Sequence, residues 1–328
     1  EKTNPVYPHH VGSPPSAGSQ QVRQPRHTLR FTRRYLRVPH HRRSHRGVPC
    51  LHGLHQGHLR QERRLQGETH HPIMAHQHHH LWRRPRPDYH HRDDHANIKM
   101  PTGGLDSEAA VKGKPIGTFR TYTLKVQGSY ITLKNITIEN NAARLGQAVA
   151  LHTEGDHIPV QNCRLLGNQD TVYTGVAGTR IAFYDCYIEG TTDFIFGPSI
   201  ARFENCEIHS KSNSYITAAS TPAGQQYGYV FHKCRLTASP EATQVYLGRP
   251  WRPYAYTLFI DCEMGSHIRP VGWDNWRNAS NEKTARYFEY GNHGLGASTK
   301  ARAPRTHQLS KKEAARITIA NVFGEDCW

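Results

Sequence analysis

Residues Gln161 to Gly197 read QNCRLLGNQDTVYTGVAGTRIAFYDCYIEGTTDFIFG, a stretch that repeats itself once. Aligned on Cys163 and Cys186, Ile158 matches Ile181, Val160 matches Phe183 and Leu165 matches Ile188. An aspartate stands seven residues after each cysteine, at Asp170 and Asp193. Outward from this pair, Ile131, Leu133, Ile136 and Ile138 form an earlier copy. Ala201, Phe203, Cys206 and Ile208 form a later one, followed by Tyr229, Phe231, Cys234 and Leu236, and then by Thr257, Phe259, Cys262 and Met264. Thr257 is the weakest match.

Each half of the unit alternates with the period of a strand that buries one face. Two residues rather than one separate the halves, so the chain bends there. At the second of these positions stand Asn135, Asn162, Asp185, Asn205, Lys233 and Asp261, mostly residue types that tolerate the left-handed backbone of a tight corner. Two short strands and a corner thus recur every 20 to 28 residues. Units of that size cannot bury an apolar face alone, which implies an all-β solenoid, a parallel β-helix. Cys163, Cys186, Cys206, Cys234 and Cys262 are then expected to form an interior column of apolar thiols. An odd total of seven cysteines and the lack of a zinc-type C-x-x-C pair argue against disulfides or a metal site.

Stacking also places Asp170 and Asp193 on neighbouring coils, roughly 4.8 Å apart along the solenoid. Two carboxylates that close cannot both ionise easily, so their proton affinities should split and supply an acid and a nucleophile or base from one residue type.

Composition is uneven. Residues 1 to 100 hold 18 of the 25 histidines and carry 18 Lys and Arg against 6 acids, whereas the remainder has 24 against 20. The formal charge of +16 therefore misdescribes the part with a core pattern. Residues 1–92 are rich in His, Arg, Pro and Gln without strand or helix period; disorder or a non-native reading frame is expected there. His70, His71, His76, His78, His79 and His80 fit no defined metal spacing. Residues 93–328 form the expected folded domain. No run of about 18 apolar residues is present, which excludes a membrane-spanning helix, and no apolar secretion signal stands at the start. Ser310, three residues before Glu313, predicts a capping box that starts a short C-terminal helix running to about Ile319 and covering one solenoid face.

Four motifs coincide: GQAVAL at Gly146–Leu151, GNQDTVY at Gly167–Tyr173, DFIFG at Asp193–Gly197 and YLGRPW at Tyr246–Trp251. Together they resemble the pectin methylesterases, from about Asp93 to Gly324. The resemblance implies a right-handed single-stranded parallel β-helix that hydrolyses methyl esters of homogalacturonan with no metal or cofactor. It implies Asp193 as nucleophile, Asp170 as general acid and then base, Arg249 as the holder of the Asp193 carboxylate, and Gln147 and Gln169 as oxyanion donors. It points to Phe119, Tyr173, Phe196, Trp251 and Trp276 as aromatic walls for sugar rings, Phe119 by way of a one-residue gap. It further implies a secreted, extracellular or periplasmic monomer whose partner is pectin, with no nucleic acid or membrane.

The family also opens with a glycine-rich segment, a helix and the first coils. Nothing similar stands in Glu1–Arg92, and without such capping coils solubility or activity is expected to suffer. A competing expectation is a glycoside hydrolase or lyase on the same scaffold, because close carboxylates also serve glycosidases. The glutamine pair and Arg249 favour acyl chemistry instead.

Overall fold

A computed structural model describes residues 89–99 and 113–325. Most of residues 1–92, including the histidine cluster, therefore lies outside the described residues. The described chain winds into three parallel sheets of seven, six and eight strands, each coil adding one strand per sheet to the last. This is a parallel β-helix, with a third strand per coil beyond the two that the repeat predicts. In the central coil the strands are Ile158–Gln161, Arg164–Leu166 and Val172–Thr174. The third strand escapes the sequence pattern because it is three to five residues long and is flanked by the loops whose length varies most. Two apparent excursions, within 210–228 and 239–255, hold such strands, Tyr215–Ala219 and Tyr246–Pro250.

The register is the one that the repeat predicts. Ile158 pairs with Ile181 and Val160 with Phe183, Leu165 with Ile188, and Phe203 with Phe231. All six corner residues adopt φ between 49° and 58°, the left-handed region that Asn and Asp enter at least cost. The core is built of like upon like. Phe183, Phe203, Phe231 and Phe259 stack with ring centroids 4.4 to 4.6 Å apart and near-parallel planes. Beside them the five cysteines are free and buried, each thiol donating to a backbone carbonyl, as Cys234 does to Phe203 O at 3.4 Å.

Tyr89–Arg92, ahead of Asp93, is a strand paired with Thr137–Asn140 that the sequence reading did not name. An edge strand with three exposed residues in YHHR has no apolar alternation to betray it. The C-terminal helix is two short ones. Ser310 and Glu313 do form the capping box of Lys311–Ala314, but the chain then turns, and Thr318 caps a second helix, Ile319–Phe323. The second helix buries Val322 and Phe323 against Ala182, Val230 and Leu258 on the outside of the eight-stranded sheet. Arg180 and Arg202 secure it by donating to the carbonyls of Phe323 and Ile317.

Candidate active site

The six-stranded sheet carries the motifs. Its register aligns Leu124, Leu151, Val172 and Ile195, then Thr217 and Gly248. Two residues earlier on each strand, the same register makes a column of Tyr122, Val149, Asp170, Asp193, Tyr215 and Tyr246. The two aspartates are therefore neighbours on adjacent coils and on one wall, about one strand spacing of 4.8 Å apart. Both sit at corners with φ of 67° and 49°, and both are buried, at 8% and 5% exposure. Their corners are pinned. The Asp170 amide donates to Thr192 O, and the Asp193 amide to Tyr215 O. Thr171 Oγ1 donates to Glu189 O.

One residue later than the aligned interior row lies an outward-facing row: Lys125, His152, Tyr173, Phe196, Ala218 and Arg249. From its end, Arg249 reaches back over two coils to grip Asp193 with two bonds, Nε to Oδ1 at 2.9 Å and Nη2 to Oδ2 at 2.6 Å. Ala218 stands in the row between Phe196 and Arg249, and its small side chain leaves that path open. Gly248 matters for the same reason, since a Cβ there would lie 2.0 Å from Thr217 Oγ1 and hold the arginine strand away. The guanidinium is also sandwiched, 3.9 Å from the Tyr215 ring centroid and 3.8 Å from that of Trp276. Trp276 adopts φ of 59°, with its amide donating to Asp274 Oδ1 at 2.7 Å.

The Asp170 carboxylate has no such holder among the described residues. Burial pushes it well above the usual carboxylate range, and the adjacent Asp193 charge adds to the rise. Asp193 is raised too, again by burial first, but the hydrogen bonds and charge of Arg249 pull it back while Asp274 pushes it up. The split is thus one of degree. The bidentate cation sits on Asp193 alone, so the coupled pair holds its last proton on Asp170.

Gln147 and Gln169 lie half-buried beside the column on successive coils. Gln169 directly precedes Asp170, and Ala148, next to Gln147, donates to Gln169 O. Neither side-chain amide is engaged by a described residue, which leaves two sets of N–H donors unspent. Four of the five expected wall residues come together as a chain of rings. Phe119 and Phe196 each lie 4.7 Å from Tyr173, and Trp251 lies 5.8 Å from Phe196. Phe119 is 44% exposed whereas Phe196 is 4% exposed, so Phe196 is floor rather than wall. Trp276 packs on the same cluster but spends one face on Arg249.

Sequence reading missed Tyr215, Ala218, Asp274 and His152. Aligning SYITAA with TDFIFG would have placed Tyr215 beside Asp193, whereas nothing local marks Asp274. His152 is held under Tyr122 and Tyr173, and burial lowers it to about 4. Its Nε2 is 3.0 Å from Glu154 Oε1 but is not aligned for a hydrogen bond. A concavity of about 410 Å³ between Arg235 and His267 lies on another sheet and is not lined by either aspartate.

The sequence profile described as Pectinesterase matches residues 94–326. "Pectinesterase 31" of Arabidopsis thaliana is 42% identical over 203 residues, covering 61% of this chain and 63% of that protein. The chain spans less than two thirds of the length of such curated relatives, 39% in the case of a probable pectinesterase/pectinesterase inhibitor of the same plant. Among solved structures, pectin methylesterase from carrot superposes with a TM-score of 0.63 at 27% identity, covering 72% of this chain and 74% of that one. A pectin methylesterase in complex with a hexasaccharide gives 0.60 at 27% identity, covering 73% and 80%.

Proposed function

The chain belongs to the pectinesterase family, and from that premise we propose that it hydrolyses the methyl esters of pectin to pectate and methanol through an aspartyl acyl-enzyme. The observation that carries the reading is the unequal treatment of two adjacent buried aspartates, one gripped by Arg249 and the other left unheld.

Ionised Asp193 attacks the ester carbonyl carbon, and the carbonyl oxygen takes the negative charge. Gln147 and Gln169 donate to that oxyanion, with amides that have no competing partner. Collapse breaks the bond to methoxide, which leaves as methanol with the proton of Asp170. The sugar carboxyl is now joined to Asp193 as an anhydride. Asp170, deprotonated, takes a proton from water as the oxygen attacks the anhydride on the sugar side. The bond to Asp193 breaks and expels its carboxylate, the sugar leaves as galacturonic acid carrying the water's OH, and Asp170 is protonated again. The sum is one ester and one water consumed, one acid and one methanol formed. No step calls for a metal or cofactor.

The row formed by Phe119, Tyr173, Phe196 and Trp251 suits the apolar C–H faces of sugar rings, and Trp276 serves mainly to hold the arginine. We assign this activity to residues 93–328 together with the Tyr89–Arg92 strand, acting as a monomer outside the cytoplasm, where pectin is found. Methanol release from highly esterified pectin, without new reducing ends, tests the reading. Asp193→Asn should retain the fold and abolish release. Methanol from that variant at the parent's rate, or chain cleavage by the parent, would overturn it.

A further inference from the structure

On the outside of the seven-stranded sheet, His209 pairs with Thr237, and Gly265 follows them on the next coil. The row thus ends without a side chain, and there the surface sinks into the concavity of about 410 Å³, a volume within the range of small-molecule sites. A Cβ on Gly265 would lie 2.6 Å from His267 Nδ1 and 2.8 Å from its Cε1. The glycine therefore makes room for the imidazole at the floor of the recess. His267 is 7% exposed, yet neither of its ring nitrogens has a hydrogen-bond partner among the described residues. A buried polar ring left unpaired is costly, and a ligand that pairs with it recovers part of that cost.

The charges around the recess decide what it can hold. Arg235 lines it, but its Nη2 is committed to Glu207 Oε2 at 2.6 Å. Glu263, beside Arg235 in register, is exposed and has no partner among the described residues. Burial, with the charge of His209 adding to it, lowers His267 to about 4, so the ring is neutral near pH 7. The unspent charge is negative, which disfavours an acidic sugar. Hydroxyls supply the remaining polarity. Thr237 Oγ1 is spent, donating to Glu207 Oε1 at 2.9 Å and meeting His209 Nδ1 at 2.8 Å. Ser239 Oγ meets His209 Nε2 at 3.1 Å and keeps capacity to bond again. Thr243 and Ser266 add two more hydroxyls, and Ala238, Pro240 and Ala242 form an apolar strip beside them. Ring hydroxyls that both donate and accept, carried on a C–H face, match such a surface without bringing charge.

We propose that this recess binds a neutral sugar residue, a second carbohydrate contact on a different sheet from Asp170 and Asp193. It goes beyond the ester-hydrolase reading and does not depend on it.

The test titrates the full chain, Ser239→Ala and Gly265→Ala with methyl galactoside and with methyl galactosiduronate, which share their ring hydroxyls and differ in the carboxylate. Saturation-transfer NMR reads the binding. The galactoside should bind the parent with a Kd on the order of 1 mM. Ser239→Ala should weaken it about two- to tenfold through one lost hydrogen bond. Gly265→Ala, whose methyl group enters the space of His267, should weaken it at least as much. The acidic glycoside should respond to neither substitution, and both variants should keep the parent's kcat for methanol release. No binding of the galactoside, or equal binding by the parent and Ser239→Ala, would overturn the site even if Gly265→Ala failed to fold. An acidic glycoside that binds as tightly and loses affinity in the same variants would overturn the choice of a neutral ligand. A parent that binds the galactoside in this pattern but releases no methanol supports the recess and sinks the ester-hydrolase reading alone.

Discussion

Replacing Arg249 with Gln should move the acid limb of the activity profile to higher pH and make the loss of stability depend on pH. Asp193 is 5% exposed, so its charge is tolerated because two guanidinium bonds at 2.6 and 2.9 Å hold it. Removing one partner of a buried ion pair costs roughly 3 to 5 kcal/mol at neutral pH. The carboxylate escapes that penalty by taking a proton. Losing the guanidinium therefore drives the Asp193 pKa further up, because the neutral acid escapes the penalty that the unpaired buried charge would carry.

The sign follows from linkage. Asp193 is raised in the parent, and deleting the groups that pull it down raises it further. The variant's deficit is therefore smallest below the unfolded carboxylate value of about 3.9, and it grows as pH rises through the new folded value. Near neutrality kcat should fall about a hundredfold or more, with partial recovery on the alkaline side. Arg249→Lys keeps the charge but loses the fork and much of the contact with Tyr215 and Trp276, so it should leave the acid limb near the parent's and lower kcat less. Methanol release across pH and urea denaturation near pH 4 and pH 8 measure both effects. An unmoved acid limb together with a pH-independent loss of stability would refute the reasoning.

Gln169→Ala should lower kcat by roughly a hundred- to a thousandfold with little change in KM or in the urea midpoint, because an oxyanion donor acts on charge that develops only in the transition state. Methanol kinetics at saturating pectin check it, and a pure KM effect would assign the residue to binding instead. Phe231→Ala opens the middle of the ring stack, where neighbours lie 4.4 and 4.5 Å away; about 3 to 5 kcal/mol should be lost, read as a lower urea midpoint.

Much of the scaffold could be read from the chain because a solenoid converts sequence period directly into spatial register. Asn135, Asn162, Asp185, Asn205, Lys233 and Asp261 mark the corners, and each takes the left-handed turn. Ile158 over Ile181 and Val160 over Phe183 follow from the same period. The strand Tyr89–Arg92 was missed because an exposed edge leaves no alternation. The break between Ala314 and Ile319 was missed because a capping box fixes where a helix starts and says little about where it stops.

By itself the sequence determined the winding, the column of thiols and the adjacency of Asp170 and Asp193, since each depends only on the spacing of like residues along a repeat. The repeat could not say which aspartate is held; the family resemblance implied Asp193, and the tertiary structure shows the grip. Arg249 lies 56 residues from Asp193, and it reaches that carboxylate across an alanine, between a tyrosine and a tryptophan from two other coils. Such a contact depends on how far side chains extend over neighbouring strands and on what those strands leave open, and the period of a chain carries no record of either.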